Sequence, residues 1–239
     1  MRVAIAAAFA VSASAALVFA CSDETPATPP GVPGVGDRDG GADTTNDDAS
    51  TQQDAGGNRA PTGCLLKTTD YTIGAKAENV PRTDIQNAVD WTDVDGALSE
   101  DGKFATVTLD VGQESAGLRV SGFGFAIPDT AETWGIEVEL KRRAPEGGVE
   151  DARVDVEIEG KPTRFKYMKT PWPTSIVGTH AYGQAVDTWG VNLFPSDVNK
   201  ASFAAKLTVK RTADAVGAVT AIVDSLKIAV HFCPEPIKQ

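Results

Sequence analysis

The chain has only two histidines, His180 and His231, and three cysteines in 239 residues. Zinc and most redox-metal sites draw on His and Cys at short spacings. No such spacing occurs here. A G-x-S-x-G nucleophile elbow is also missing, which removes the signature of the α/β hydrolases. Ser175, His180 and Asp187 lie near one another in sequence. A triad is defined by geometry and not by such nearness, so they do not make a serine hydrolase. Basic runs are absent too. Asp and Glu outnumber Lys and Arg 33 to 22, for a net charge of -11. Nucleic-acid phosphates would be repelled by that balance, and no nucleic-acid partner is expected. An acidic exterior suits a soluble, non-sticky protein.

Long apolar runs are confined to the start, "MRVAIAAAFAVSASAALVFAC". One positive charge, Arg2, precedes an uncharged stretch of Ala, Val, Phe, Leu and Ser, which is the layout of a secretory signal. Val18, Phe19 and Ala20 lead into Cys21, and this arrangement resembles the lipobox of bacterial lipoproteins. The resemblance implies a signal peptide over residues 1–20, with a diacylglycerol on the Cys21 thiol and a further acyl chain, such as palmitate, on the new amino terminus. Two or more acyl chains hold a protein stably on a bilayer, at about 0.8 kcal/mol per buried methylene. Ser22 rather than an aspartate follows the cysteine. By the same resemblance that points to the cell outer membrane. The readings without lipid are an uncleaved helix, since the run is just long enough to span a bilayer, or plain secretion with a free Cys21.

Residues 21–62 hold that cysteine and a segment rich in Asp, Gly, Pro, Thr and Ala. Such a composition buries too little apolar surface to offset its lost chain entropy, so a disordered linker is predicted. As a flexible coil its ends would lie roughly 35 Å apart. Eight acidic residues against two basic ones make it strongly negative. Its "DRDGGAD" run places Asp37, Asp39 and Asp43 near a turn, but the distal Glu of a calcium loop is missing.

The rest, residues 63–239, has the length of one domain. Cys64 opens it and Cys233 closes it. Export would place both where disulfides persist. Their bond would bring the two ends of the domain together, with Cα atoms about 6 Å apart. The other reading is a pair of buried free thiols. Period-two alternation runs through the domain. In "KFATVTLDV" Ala105, Val107 and Leu109 oppose Phe104, Thr106 and Thr108. In "GIEVELKRR" Ile136, Val138 and Leu140 oppose Glu137, Glu139 and Lys141. In "ARVDVEIEG" Val154, Val156 and Ile158 oppose Arg153, Asp155, Glu157 and Glu159. "AKLTVKR" and "AIVDSLKIAVHF" continue the pattern, which is that of strands with one wet face. Turns are expected at Glu100–Lys103, Ala144–Gly148 and Glu159–Pro162. One helical turn, capped by Ser196, is expected in "PSDVNKASF". Roughly eight strands without intervening helices predict an all-β fold, a single β-sandwich that is jelly-roll-like.

Three stretches carry a second resemblance: "DWTDVDGALSEDGKFATVTL", "SGFGFAIPDTAETWGIEVELKRRA" and "DTWGVNLFPSDVN". Together they are similar to a β domain that recurs in uncharacterised secreted and phage-associated proteins. The resemblance implies a fold and no reaction.

Candidate chemistry is sparse. Glu137 with Glu139, and Asp155 with Glu157 and Glu159, share strand faces and could pair as glycosidase carboxylates do. Their alternation with Ile and Val, beside Lys141 and Arg153, reads instead as solvent faces balanced by ion pairs. A structural calcium is the one cofactor left open, with Asp93, Asp95 and Asp101 as candidate ligands in "DVDGALSEDG". The plainer reading of that stretch is an acidic connection. His231 is expected on a wet strand face and His180 in a loop. Trp172, between Pro171 and Pro173, is placed in a loop or at an edge. With Tyr182 it forms the candidate ligand-binding pair, able to stack on a sugar or anchor a partner. Trp134 and Trp189 are expected to cover the ends of the core. These readings point to an envelope-anchored, non-catalytic β-sandwich that binds a glycan or envelope protein. The alternatives are a hydrolase acting on envelope or environmental polysaccharide, and a passive surface spacer.

Overall fold

The computed structural model describes residues 64–175 and 177–235. Cys21 and the linker lie outside the described residues. The elements run β1 (Lys67–Thr68), β2 (Thr72–Ile73), β3 (Lys76–Val80), a 3-10 turn (Val94–Ala97), β4 (Ala105–Leu109), β5 (Gly117–Ser121) and β6 (Glu132–Arg143). They continue with β7 (Val149–Glu157), β8 (Gly178–Gly183), α1 (Pro195–Val198), β9 (Ala204–Arg211) and β10 (Val219–Cys233).

The strands form two antiparallel sheets packed as a β-sandwich. The first has the order β1-β10-β6-β8, with β2 and β4 also pairing along β10. The second has the order β3-β5-β9-β7. From β6 to β10 each successive strand crosses to the opposite sheet, which is the alternation of a jelly roll. The turn at Ala144–Gly148 is therefore a crossing between sheets and not a hairpin. Gly148 must be glycine there: its φ is 66°, and a Cβ would lie 2.4 Å from that of Ala215.

The alternating apolar residues face one another across the sandwich. Ala105, Val107 and Leu109 of β4, and Ile136, Val138 and Leu140 of β6, are buried. They meet Val154 and Val156 of β7 and Leu207 and Val209 of β9 in one core. Each such Leu, Ile or Val contributes roughly 1.5–3 kcal/mol by leaving water. Phe123, Phe125 and Phe203 close one side of this core, with ring centroids 5.9 to 6.1 Å apart. Trp189 is fully buried and donates from Nε1 to the Ile136 carbonyl at 2.9 Å.

Cys64 and Cys233 are disulfide-bonded, 169 positions apart in sequence, with Cα atoms 6.0 Å apart. β1 lies antiparallel to the last residues of β10, with Lys67 opposite Phe232. That pairing corrects the expectation for His231. It is buried, because β1 covers the strand beside it, and its Nδ1 hydrogen-bonds with the Thr68 hydroxyl at 2.8 Å. The helical turn is also corrected. Phe194 occupies the cap position and Pro195 opens the helix, so Ser196 falls inside the first turn. Proline is pre-set for the first helical position, and the Asp197 carboxylate accepts from the Phe194 N–H at 2.9 Å.

Candidate functional site

A concavity of about 780 Å³ lies between the 3-10 turn and the start of β4. Ligand clefts commonly fall in the range of roughly 300–1,000 Å³. Its floor is Trp91, held from three sides. Asn79 Oδ1 accepts from the Trp91 N–H and Asn79 Nδ2 donates to the Trp91 carbonyl, both at 2.8 Å. The indole Nε1 donates to the Ala116 carbonyl at 3.0 Å. One wall is the turn itself. Asp93 adopts a left-handed φ of 52°, and its carbonyl accepts from the Gly96 N–H at 2.8 Å. Gly96 presses against the backbone of Phe104, where a Cβ would come within 2.3 Å. A side chain at position 96 would therefore push the two walls apart.

The other wall carries Ser99, Asp101, Lys103 and Phe104. The Asp101 carboxylate accepts from the Lys103 N–H at 3.0 Å, and that bond and Ser99 hold its pKa below the ordinary value. The Arg143 guanidinium covers the Phe104 ring at 5.5 Å. Asp93, Asp95 and Asp101 thus line one groove. Among the described residues, however, no three acidic, His or Cys groups are arranged to hold a metal. Asn79, Trp91, Lys103 and Phe104 had no place among the candidates from sequence. A tryptophan immediately before an acidic, glycine-containing loop was the available signal.

The groove's position in the fold follows from β10. This strand pairs with β4 through Val219 to Val223 and ends at Cys233. Ten strand residues separate Val223 from Cys233, roughly 33 Å. Leu98 bridges Ser225 and Glu100 reaches Lys227, so the groove lies beside the middle of β10.

Trp172 and Tyr182 are brought together, but inside the protein. Trp172 lies outside the strands, as its flanking prolines require, yet its ring is only 2% exposed, and Tyr182 only 5%. Both donate to the buried carboxylate of Asp151, Trp172 Nε1 at 2.9 Å. Burial and then the Asp151 charge push the Tyr182 hydroxyl pKa well above its usual value, keeping it a donor. The pair is corrected accordingly: rings enclosed this way have no open face for a sugar. His180 lies on β8, edge-on to Tyr182 at 4.9 Å, rather than in a loop. The Asp187 carboxylate is taken by Lys166 at 2.6 Å and by the Trp189 N–H at 2.9 Å.

The paired carboxylates sit in ion pairs. Glu157 meets Lys206 at 2.6 Å and Arg119 at 2.7 Å, while Glu139 lies 3.7 Å from Lys227. Asp155 is bound by Arg153 at 2.6 Å, yet burial raises its pKa. On the outer face of the first sheet Glu100 bridges Lys141, at 2.7 Å, and Lys227. Those two hydrogen bonds hold its pKa down at about 2.

Fold and groove together define a disulfide-closed β-sandwich with an open polar groove. No family model matches the chain, and no curated protein matches it. Among solved structures the chain is similar to one described as "Structure of PfGH50B", at 8% identity and a TM-score of 0.30. That likeness covers 74% of this chain and 23% of the other, so this chain spans under a quarter of that one.

Proposed function

We propose that this protein is an envelope lipoprotein, anchored in a bilayer through acylated Cys21, that displays a non-catalytic β-sandwich for binding a glycan or protein partner. The observation that carries the reading is the polar groove beside the 3-10 turn, lined by Asp93, Asp95, Ser99, Asp101 and Phe104. The groove's lining favours recognition over catalysis. Asn79, Ser99 and three aspartates offer hydrogen bonds to hydroxyls, and Phe104 offers a ring edge. The lowered pKa of Asp101 makes it a poor proton donor near neutrality, where a glycosidase acid needs a raised one. By its resemblance at Cys21 the anchor belongs to the outer membrane.

Two experiments test this. Mass spectrometry of the mature amino terminus should find acyl chains on Cys21; an unmodified terminus refutes the anchor. The full chain applied to a glycan array should bind, and Asp95→Ala or Phe104→Ala should abolish that binding. Release of reducing sugar would replace the binding reading with a hydrolase. Failure to bind any glycan or envelope extract would leave a spacer.

A further inference from the structure

From Gly160 to Val186 the chain has no aspartate or glutamate, in a protein with 33 of them. The same stretch holds Lys161, Arg164, Lys166 and Lys169. Between these cations stand Phe165 and Tyr167, which are 49% and 47% exposed. Their rings stack with centroids 6.2 Å apart and planes 30° apart. Isolated exposed apolar side chains such as Val111 and Val216 are ordinary on a protein surface; an adjoining aromatic pair offers a contiguous contact area.

The pair is exposed because of how its segment joins β7. Val154 and Lys166 exchange backbone hydrogen bonds at 2.7 and 2.8 Å, so Lys166 shares the inward face of Val154. Lys166 accordingly reaches Asp187 and lies 5.0 Å from the buried Trp189 ring. Phe165 and Tyr167, one position to either side, must face outward with Arg153. The segment is pinned at both ends. Arg164 N–H donates to the Trp189 carbonyl at 2.8 Å, and Met168 N–H donates to Asp151 at 3.0 Å. Arg153 is fixed by both oxygens of Asp155, at 2.6 and 2.7 Å, with its guanidinium 4.7 Å over the Phe165 ring. Lys169 is exposed and has no ion-pair partner among the described residues.

We infer that Phe165 and Tyr167, with Arg153 and Lys169, form a binding strip for a linear anionic polysaccharide of the polyuronate class, separate from the groove. Aromatic faces pack against the C–H faces of sugar rings, and Lys169 pairs with ring carboxylates while Arg153, held by Asp155, steadies the Phe165 ring. The strip is extended and follows the strand direction, which suits a linear polymer. A firm sheet face carrying a fixed Arg–Asp pair lacks the aliphatic wedge that a lipid surface would accept. The groove cannot serve the same ligand, because Asp93, Asp95 and Asp101 outnumber Lys103 there.

The test uses the full chain and immobilised polygalacturonate. Retention is expected at low ionic strength and should fall as NaCl rises from about 50 to about 300 mM, where screening shortens the reach of exposed charges. Phe165→Ala/Tyr167→Ala should weaken it roughly tenfold or more, since aromatic contacts dominate such surfaces. Lys169→Glu should weaken it as well, and circular dichroism should stay unchanged in both because these side chains are exposed. Asp95→Ala should leave polygalacturonate binding intact. Loss of array binding in that variant, with polygalacturonate still retained, separates the two sites. Equal retention on dextran would overturn the charged class. Equal retention on poly-glutamate would indicate an acidic protein instead, and preference for phosphatidylglycerol vesicles would indicate a membrane surface. No retention on polygalacturonate at low salt overturns the proposal outright.

Discussion

Asp151 on β7 and Arg142 on β6 form an ion pair whose side chains are 0% and 4% exposed. Each belongs to a different sheet, so the pair clasps the sandwich across the crossing at Ala144–Gly148. Four groups converge on the one carboxylate: Arg142, Trp172 Nε1, the Tyr182 hydroxyl and the Met168 N–H. The Arg142 guanidinium lies 4.8 Å from the Trp172 ring and 5.6 Å from that of Tyr182.

Removing one member of a buried pair strands the other charge. Asp151→Ala is expected to cost about 3–5 kcal/mol in urea denaturation. Replacing both charges with apolar residues of similar size, as in Asp151→Leu/Arg142→Met, should recover much of that loss. A double variant as unstable as the single one would show that the hydrogen bonds to Trp172 and Tyr182, and not the uncompensated charge, dominate.

Trp172→Ala should act on stability and not on ligand affinity. Deleting a buried indole costs roughly 3–5 kcal/mol, while the groove lies on other elements. Tyr182→Phe removes only the hydroxyl and should cost about 1–3 kcal/mol by leaving Asp151 short of a donor. Denaturation midpoints and array binding measured on the same samples check both statements. Unchanged stability with lost binding would return Trp172 to a ligand role.

Glu100 predicts a specific acid response. Its folded pKa is lowered from 4.5 to about 2 by Lys141 and Lys227. The unfolded chain therefore binds this proton more readily than the folded one. The stabilisation is fully present above the unfolded value, and it is lost as pH falls toward 2. The side chain is 34% exposed, so solvent screens the pairs, their worth is up to about 1 kcal/mol, and it shrinks in salt. Glu100→Gln should lower stability at pH 7 and flatten the dependence between pH 5 and 2. A parallel curve for wild type and variant would assign the acid response to other groups.

Reduction of Cys64–Cys233 should lower the denaturation midpoint markedly. A loop of this size is worth up to about 5 kcal/mol in the chain-entropy model. Urea curves with and without dithiothreitol, and with Cys64→Ala/Cys233→Ala, measure it. Coincident curves would mean that β1 and β10 stay paired without the bond.

Much of the fold was legible because burial on one face forces a period of two. β4, β6, β7, β9 and β10 all lie where Ala105, Ile136, Val154, Leu207 and Ile228 alternate with polar neighbours. The clasp between Cys64 and Cys233 was legible from their positions at the two ends of the domain. β1 and β2 were not, since two residues carry no period and owe their pairing to the long edge of β10.

Local sequence thus determined which faces are wet and which segments extend. Only the tertiary structure decided what meets across the sheets. Asp151 carried no signal in the sequence, yet β7 turns it inward, where it holds Trp172 and Tyr182 out of solvent. Phe165 and Tyr167 drew no reading from the sequence, and their segment's register with Val154 leaves them outside. The physical reason is common to both. Alternation fixes that neighbours point to opposite faces, but which face becomes the interior is set by pairing partners distant in the chain.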